Sequence, residues 1–346
     1  MTGKLLDTDM RQGITIAGSF VVDIVKSIDV YPKIGELANL QEITRAIGGC
    51  VPNTATDLAV IDADLKVSAV GTIGNDENGE FLLENLRAKN IETDQIQIVD
   101  KMPTSFCDVM SVPSGERTFF SHRGANAVFS PADVRIDELN CRIFHLGYLL
   151  LLNKFDEEDK EFGTAAARFL RDVQLRGIKT SIDVVSSSDM EEFQRKIKPV
   201  LRYVDYVIVN ELECCNIWGL ACRKENGEID VKNIRNAMQR CLDYGVREKV
   251  IVHAKEGAFC MNKNGSFTSM GSLIIPKNLI KGSVGAGDAF CAGSLYAIYN
   301  DYSDKEILEF ASGAAACSLF EANAVDGMRE KKEIEKIITR FERRVN

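Results

Sequence analysis

The chain reads as an α/β protein built on a mostly parallel sheet with helices on both faces. Two observations carry that expectation. Short, continuously apolar runs recur along the sequence, as strands buried on both faces do. Stretches with helical spacing lie between them, as parallel strands need a crossover. A third observation adds a second, smaller sheet. Two segments, 21–44 and 95–121, break the pattern with short alternating stretches joined by turn residues.

Taken in order, strand 14–17 opens the chain and is followed by the first alternating segment. Helix 52–61, strand 66–70 and helix 78–89 come next. The second alternating segment holds exposed hairpin strands at 105–112 and 117–121, joined by the turn Val112-Pro113-Ser114-Gly115-Glu116. Beyond it, strands at 142–146, 180–184, 206–209 and 250–252 alternate with helices at 162–176, 231–244, 286–299 and 305–320. A last helix over 330–343 sets Ile334, Ile337, Ile338 and Phe341 on one stripe, a face that docks on the core.

Composition excludes several classes of function. The 346 residues are 45% hydrophobic and 27% charged, the balance of a folded globular chain. With 51 acidic against 42 basic residues the net charge is −9, so the surface repels nucleic acid and anionic membrane, and neither is expected as a partner. The longest apolar run, 146–152, falls far short of the ~20 residues that span a bilayer. The opening MTGKLLDTDM lacks a signal-peptide core, so a cytoplasmic protein with reduced cysteines is expected. Of the 10 cysteines, seven are scattered among apolar neighbours as small core fillers. Cys214, Cys215 and Cys222 cluster, but their spacing matches no common zinc pattern.

The sharpest motif is Gly282-Ser283-Val284-Gly285-Ala286-Gly287-Asp288-Ala289-Phe290, leading straight into an apolar helix. Small residues let a ligand approach the backbone, and a helix start offers unpaired N–H groups and a positive dipole end. Spacing alone leaves two readings: an anion site containing a carboxylate, or a tight strand-to-helix turn capped by Asp288.

Here the sequence resembles a family. Gly285–Phe290, GAGDAF, resembles the carboxy-terminal signature of the ribokinase-like (PfkB-type) carbohydrate kinases. Gly18-Ser19-Phe20-Val21-Val22-Asp23 resembles that family's opening strand, and Gly48-Gly49-Cys50-Val51-Pro52-Asn53 its amino-terminal signature. The turn Gly71-Thr72-Ile73-Gly74-Asn75-Asp76-Glu77-Asn78-Gly79, then Gly124-Ala125-Asn126, then Asn210-Glu211-Leu212-Glu213 follow in the family's order. The resemblance implies a three-layer α/β/α domain, with 1–20, 46–94 and 123–346 as core and 21–45 plus 95–122 as a β lid. It also implies an ATP-dependent phosphotransferase acting on a hydroxyl of a small sugar, with magnesium as cofactor.

Residue by residue, Asp288 resembles the general base, and Gly285, Ala286 and Gly287 the anion hole for the phosphoryl group in flight. Asp23, Gly49 and Asn53 resemble the sugar contacts. Asn210, His253, Gly257, Gly285 and Gly287 fall at nucleotide positions, while Asn210 and Glu213 resemble the pair that orders magnesium, mostly through water. Asn210–Glu213 is also the pattern of an ordinary helix N-cap. Three departures stand out. Gly282-Ser283 replaces the family's aspartate and threonine, leaving monovalent-cation activation open. His253-Ala254-Lys255-Glu256-Gly257 replaces its small-residue nucleotide turn, and Cys50 stands where ribose-type enzymes often carry a lysine. Two rival readings remain, a nucleoside kinase of the same family and a non-catalytic sugar-binding regulatory relative. A dinucleotide enzyme is disfavoured because no strand–GxGxxG–helix unit occurs. Exposed lid edges suggest a homodimer through the lids.

Overall fold

The computed structural model describes residues 11–112 and 116–345. The opening decapeptide and the middle of the expected 112–116 turn lie outside the described residues.

The chain begins with β1 (Ile14–Ala17), then two lid strands, β2 (Val21–Ile28) and β3 (Leu40–Gly48). Helix α1 (Cys50–Ile61), β4 (Val67–Gly74), α2 (Glu77–Arg87) and β5 (Glu92–Val99) return to the core. The lid is completed by β6 (Phe106–Ser111) and β7 (Arg117–His122). After β8 (Ile143–Leu149) comes a two-residue ribbon, β9 (Glu158–Asp159) with β10 (Gly163–Thr164), followed by α3 (Ala165–Leu175) and β11 (Lys179–Val184). Then α4 (Met190–Val200), β12 (Tyr206–Asn210), α5 (Glu211–Asn216), α6 (Val231–Tyr244) and β13 (Lys249–His253) continue the alternation. A meander, β14 (Gly257–Asn262) and β15 (Phe267–Gly271), precedes α7 (Ala286–Tyr299), α8 (Asp304–Ser318) and α9 (Lys331–Arg340).

Nine strands form the large sheet in the order β15-β14-β13-β12-β11-β8-β1-β4-β5. Pairing is parallel from β5 to β13 and antiparallel across β14 and β15. Successive residues of a strand face opposite layers. Tyr206 and Ile208 pack with α1, α7 and α8, whereas Val207 and Val209 pack with α3, α4 and α6. The sheet is therefore buried on both faces, which is why its strands read as continuous apolar runs.

Four strands, in the order β3-β2-β6-β7, make the second sheet. It is not two simple hairpins, because β2 and β6 pair in parallel. The boundaries also differ from expectation. Residues 95–99, expected in the lid, belong to β5 at the edge of the large sheet, where Ile96 is buried in the core and the strand pairs with β4. The first lid segment runs on to Gly48, past the expected 45.

Helices α2, α3, α4, α6 and α8 open on Asp76, Thr164, Asp189, Asp230 and Ser303, whose side-chain oxygens accept first-turn N–H groups. Helices α1 and α7 open instead on Gly49 and Gly285, with no side-chain cap. Both ends face the same place.

Candidate active site

In an open α/β sheet the crevice lies beyond the carboxyl ends of the strands, where the strand order reverses. Here that point falls between β1 and β8, since β1 pairs with β4 on one side and β8 on the other. The chain leaves β8 through Tyr148 and Leu150, both at positive φ (57° and 80°), a conformation that bulky side chains hold only when neighbours fix it. Asp183 accepts the Tyr148 N–H, and Asp156 accepts the Leu150 N–H at 3.0 Å.

The loop before α7 brings Gly285 to φ 78°, and a Cβ there would sit 2.6 Å from the Ala324 carbonyl oxygen. Only glycine fits. The turn sets the first residues of α7 at the cavity wall with the dipole's positive end toward it. Asp288, in that first turn, is buried. Its carboxylate does not cap the helix. Oδ2 accepts a hydrogen bond from Asn53 Nδ2 at 2.8 Å, and the Tyr148 hydroxyl donates to both oxygens at 3.0 and 3.1 Å. The capped-turn reading of the motif is therefore set aside, and the acid is held by side chains from α1 and β8. Burial pushes the Asp288 carboxyl up to about 6, with nearby Asp183 adding to the rise and the Asn53 and Tyr148 hydrogen bonds opposing it.

A cavity of about 380 Å³ opens here. Gly285, Ala286, Gly287 and Asp288 line it from α7, facing Asn210, Glu213 and His253 from the ends of β12, α5 and β13. A second cavity of about 590 Å³ lies on the other side of His253, with Gly257, Lys255 and Phe290 in its wall. The two share His253, Ser283, Ala286 and Gly287. The helix start thus stands between two adjoining chambers, one of them floored by the carboxylate.

Asn210 and Glu213 form a reciprocal capping box at the start of α5. Asn210 Oδ1 accepts the Glu213 N–H at 2.8 Å, and Glu213 Oε2 accepts the Asn210 N–H at 3.1 Å. The cap does not remove Glu213 from the cavity. Its other oxygen accepts the Ser186 hydroxyl at 3.0 Å, and burial raises the carboxyl to about 7. His253 stacks on Phe290 with ring centres 4.9 Å apart, and burial lowers its imidazole to about 4, leaving it neutral at pH 7.

The three expected sugar contacts stand outside the cavity wall, Asn53 reaching it only through its bond to Asp288. Gly49 turns the chain into α1 at φ 83°. Asp23 lies on lid strand β2 against Gly48, where a Cβ would come within 2.5 Å of its oxygen. Burial raises the Asp23 carboxyl to about 6, partly opposed by Arg117. Asn126, carried by the Gly124-Ala125-Asn126 motif, accepts the Phe20 N–H at 3.0 Å and donates to the Phe20 carbonyl at 2.9 Å, fixing the turn between β1 and β2. Sequence reasoning missed Tyr148 and Asp183. For Asp183 a signal existed, an acid next to the last residue of an apolar strand; for Tyr148 there was none, since it sits inside an apolar run.

Residues 17–331 match the profile described as pfkB family carbohydrate kinase. Ribokinase of Haemophilus influenzae is 24% identical over 94% of this chain and 97% of its own length. The 5-dehydro-2-deoxygluconokinase of Geobacillus kaustophilus is 23% identical over 85% of each chain. Among solved structures, Arabidopsis thaliana ribokinase complexed with ribose and ATP superposes with a TM-score of 0.76 at 23% identity, over 95% of this chain and 99% of that one. Fold and profile agree: the chain belongs to the pfkB family of carbohydrate kinases.

Proposed function

We propose that the protein transfers the γ-phosphoryl group of ATP to a hydroxyl of a small sugar. The observation that carries this reading is the buried Asp288 carboxylate in the first turn of α7, between two cavities that share that turn. A carboxyl near 6 is ionised at neutral pH yet basic enough to take a proton from an attacking hydroxyl. The N–H groups of Gly285, Ala286 and Gly287, at the positive end of the helix dipole, would stabilise charge on the transferring group. Tyr148 and Asn53 hold the base in one orientation, and positioning supplies much of the catalysis in phosphoryl transfer.

Asp23, Gly49 and Asn53 are the proposed sugar contacts. Asn53 Oδ1 is buried and has no hydrogen-bond partner among the described residues, so it is available to a sugar hydroxyl. His253 and Gly257 line the proposed nucleotide chamber. Glu213 and Asn210 offer hard oxygen donors at the cavity wall, the chemistry that suits magnesium held partly through water. Bound there, magnesium would neutralise charge on the phosphates. The named activities of the sugar kinase relatives support a sugar as acceptor.

Asp288→Asn tests the reading. The substitution keeps size and removes the ability to accept a proton. Turnover in a coupled ADP-release assay should fall roughly 10²–10⁴-fold with ATP and sugar affinities little changed. Near-normal turnover would remove the catalytic role.

A further inference from the structure

Behind the Asp288 wall, three potential metal ligands from three different elements converge. His145 comes from the middle of β8, Asp183 from the end of β11 and Cys291 from the second turn of α7, and all three are buried. We propose that His145, Asp183 and Cys291 form a binding site for one borderline-soft divalent cation of the zinc class, distinct from the magnesium position. His145 Nε2 lies 3.4 Å from Asp183 Oδ2 and 3.7 Å from Cys291 Sγ, and the three donor atoms lie within 4.8 Å of one another. Donors bound tetrahedrally to zinc at about 2.0–2.3 Å stand roughly 3.3–3.7 Å apart. The two distances to His145 match that spacing, and a small closure of Asp183 on Cys291 completes it.

Two further features belong to a built site. The other ring nitrogen, His145 Nδ1, pairs with Ser181 Oγ at 3.0 Å, the kind of outer contact that fixes the ring of a metal-binding histidine. Asp183 is held through its other oxygen by the Tyr148 N–H. Asp183 and Cys291 also line the 380 Å³ cavity, which gives an ion a way in and leaves a fourth position for water. The donor set of imidazole, carboxylate and thiolate suits zinc and not magnesium. The magnesium candidates, Asn210 and Glu213, present oxygen alone.

An ion here would occupy the cavity floor beside the base. Asp183, Cys291 and Asp288 line the same cavity. On the kinase reading above, zinc is therefore an inhibitor that withdraws charge from the base and obstructs the acceptor, and activity requires its removal.

The test uses the whole protein stripped of metal by a chelator. Zinc, titrated against a chromogenic chelator, should bind with one equivalent per chain and resist a large excess of magnesium. Cobalt in its place should show a thiolate-to-metal charge-transfer band. Cys291→Ser should abolish that band and weaken zinc at least tenfold. Ser181→Ala should keep the band and weaken zinc 10–100-fold, and it decides the matter if Cys291→Ser does not fold. One equivalent of zinc should lower wild-type turnover at least tenfold under saturating MgATP. No stoichiometric zinc, or a band unchanged in Cys291→Ser because the Cys214–Cys222 group holds the metal, overturns the site. Full turnover with zinc bound overturns the inhibition. Absence of any turnover in zinc-free protein supplied with MgATP and a panel of sugars would fault the kinase reading alone, because zinc binding is measured without it.

Discussion

Asp288 is a residue whose placement works against stability, and the proposed role as base would explain why it is kept there. Its carboxyl is raised from 3.8 to about 6, chiefly by burial. The folded state therefore holds the proton more tightly than the unfolded chain, and the ionised form carries a penalty. That penalty is fully present above about pH 6, shrinks as pH falls through 6, and vanishes below about 4. Two units correspond to about 3 kcal/mol, reduced in an asparagine variant because the Asn53 amide then meets a second amide. Asp288→Asn should accordingly melt a few degrees higher than the wild type at pH 8 and at the same temperature at pH 4. Thermal melts across that range check it, and a variant less stable at pH 8 would show that the hydrogen bonds outweigh desolvation. Asp288 and its glycines stood out because small residues before an apolar helix mark either an anion site or a tight turn, and the resemblance chose between the two. Tyr148 was not, because its function comes from a backbone at φ 57° that no local pattern announces.

At the level of elements, periodicity placed β1, α6 and α7 with their observed ends, since each combines an apolar face with clear stops. It misread β5, whose half-exposed alternation looks like a lid strand but whose Ile96 is a core residue. It passed over α4, although Phe193, Ile197 and Val200 recur at helical spacing, because Pro199 close to its end reads as a break. For α5 the helix-cap reading of Asn210–Glu213 is observed, and the same pair also lines the cavity. The start of α7 offers a sharper contrast between neighbouring glycines. At Gly285 a Cβ meets the Ala324 carbonyl at 2.6 Å in a left-handed backbone, whereas at Gly287 the nearest atom, His253 Cε1, is 3.7 Å away. Gly285→Ala should cost about 1–3 kcal/mol and displace the N–H groups, lowering both melting temperature and turnover. Gly287→Ala should leave stability within ~0.5 kcal/mol, while, on the proposed function, its methyl enters the phosphate site and raises the KM for ATP. Melts and ATP titrations on the pair check this; equal destabilisation would mean the turn, not the cavity, sets both positions.

The whole molecule shows an asymmetry between its two sheets. The large sheet has its faces covered, and its β15 edge is followed by a bridge from Leu273 to Arg343. The lid sheet is different. Its edge strands β3 and β7 are exposed over most of their length on both faces, and they carry Ile43, Phe119 and Phe120 into solvent. The loop between β2 and β3 adds Ile34 and Leu37, both more than 80% exposed. Open edges with apolar side chains on both faces invite pairing with another chain, and natural proteins ordinarily blunt them with charge or cover. A second copy of the chain, joined lid to lid, would cover both edges at once and place a rigid wall beside Asp23. Light scattering at micromolar concentration should therefore report twice the chain mass. Phe119→Glu combined with Ile43→Glu should shift the protein to monomer at the same concentration, weakening association more than tenfold. Neither side chain is in the core, so the melting temperature extrapolated to low protein concentration should stay within about a degree. If Asp23 contacts the sugar as proposed and a partner lid stiffens β2, the sugar KM should rise with dissociation. A wild type that scatters as a monomer would leave the exposed lid without a self-partner.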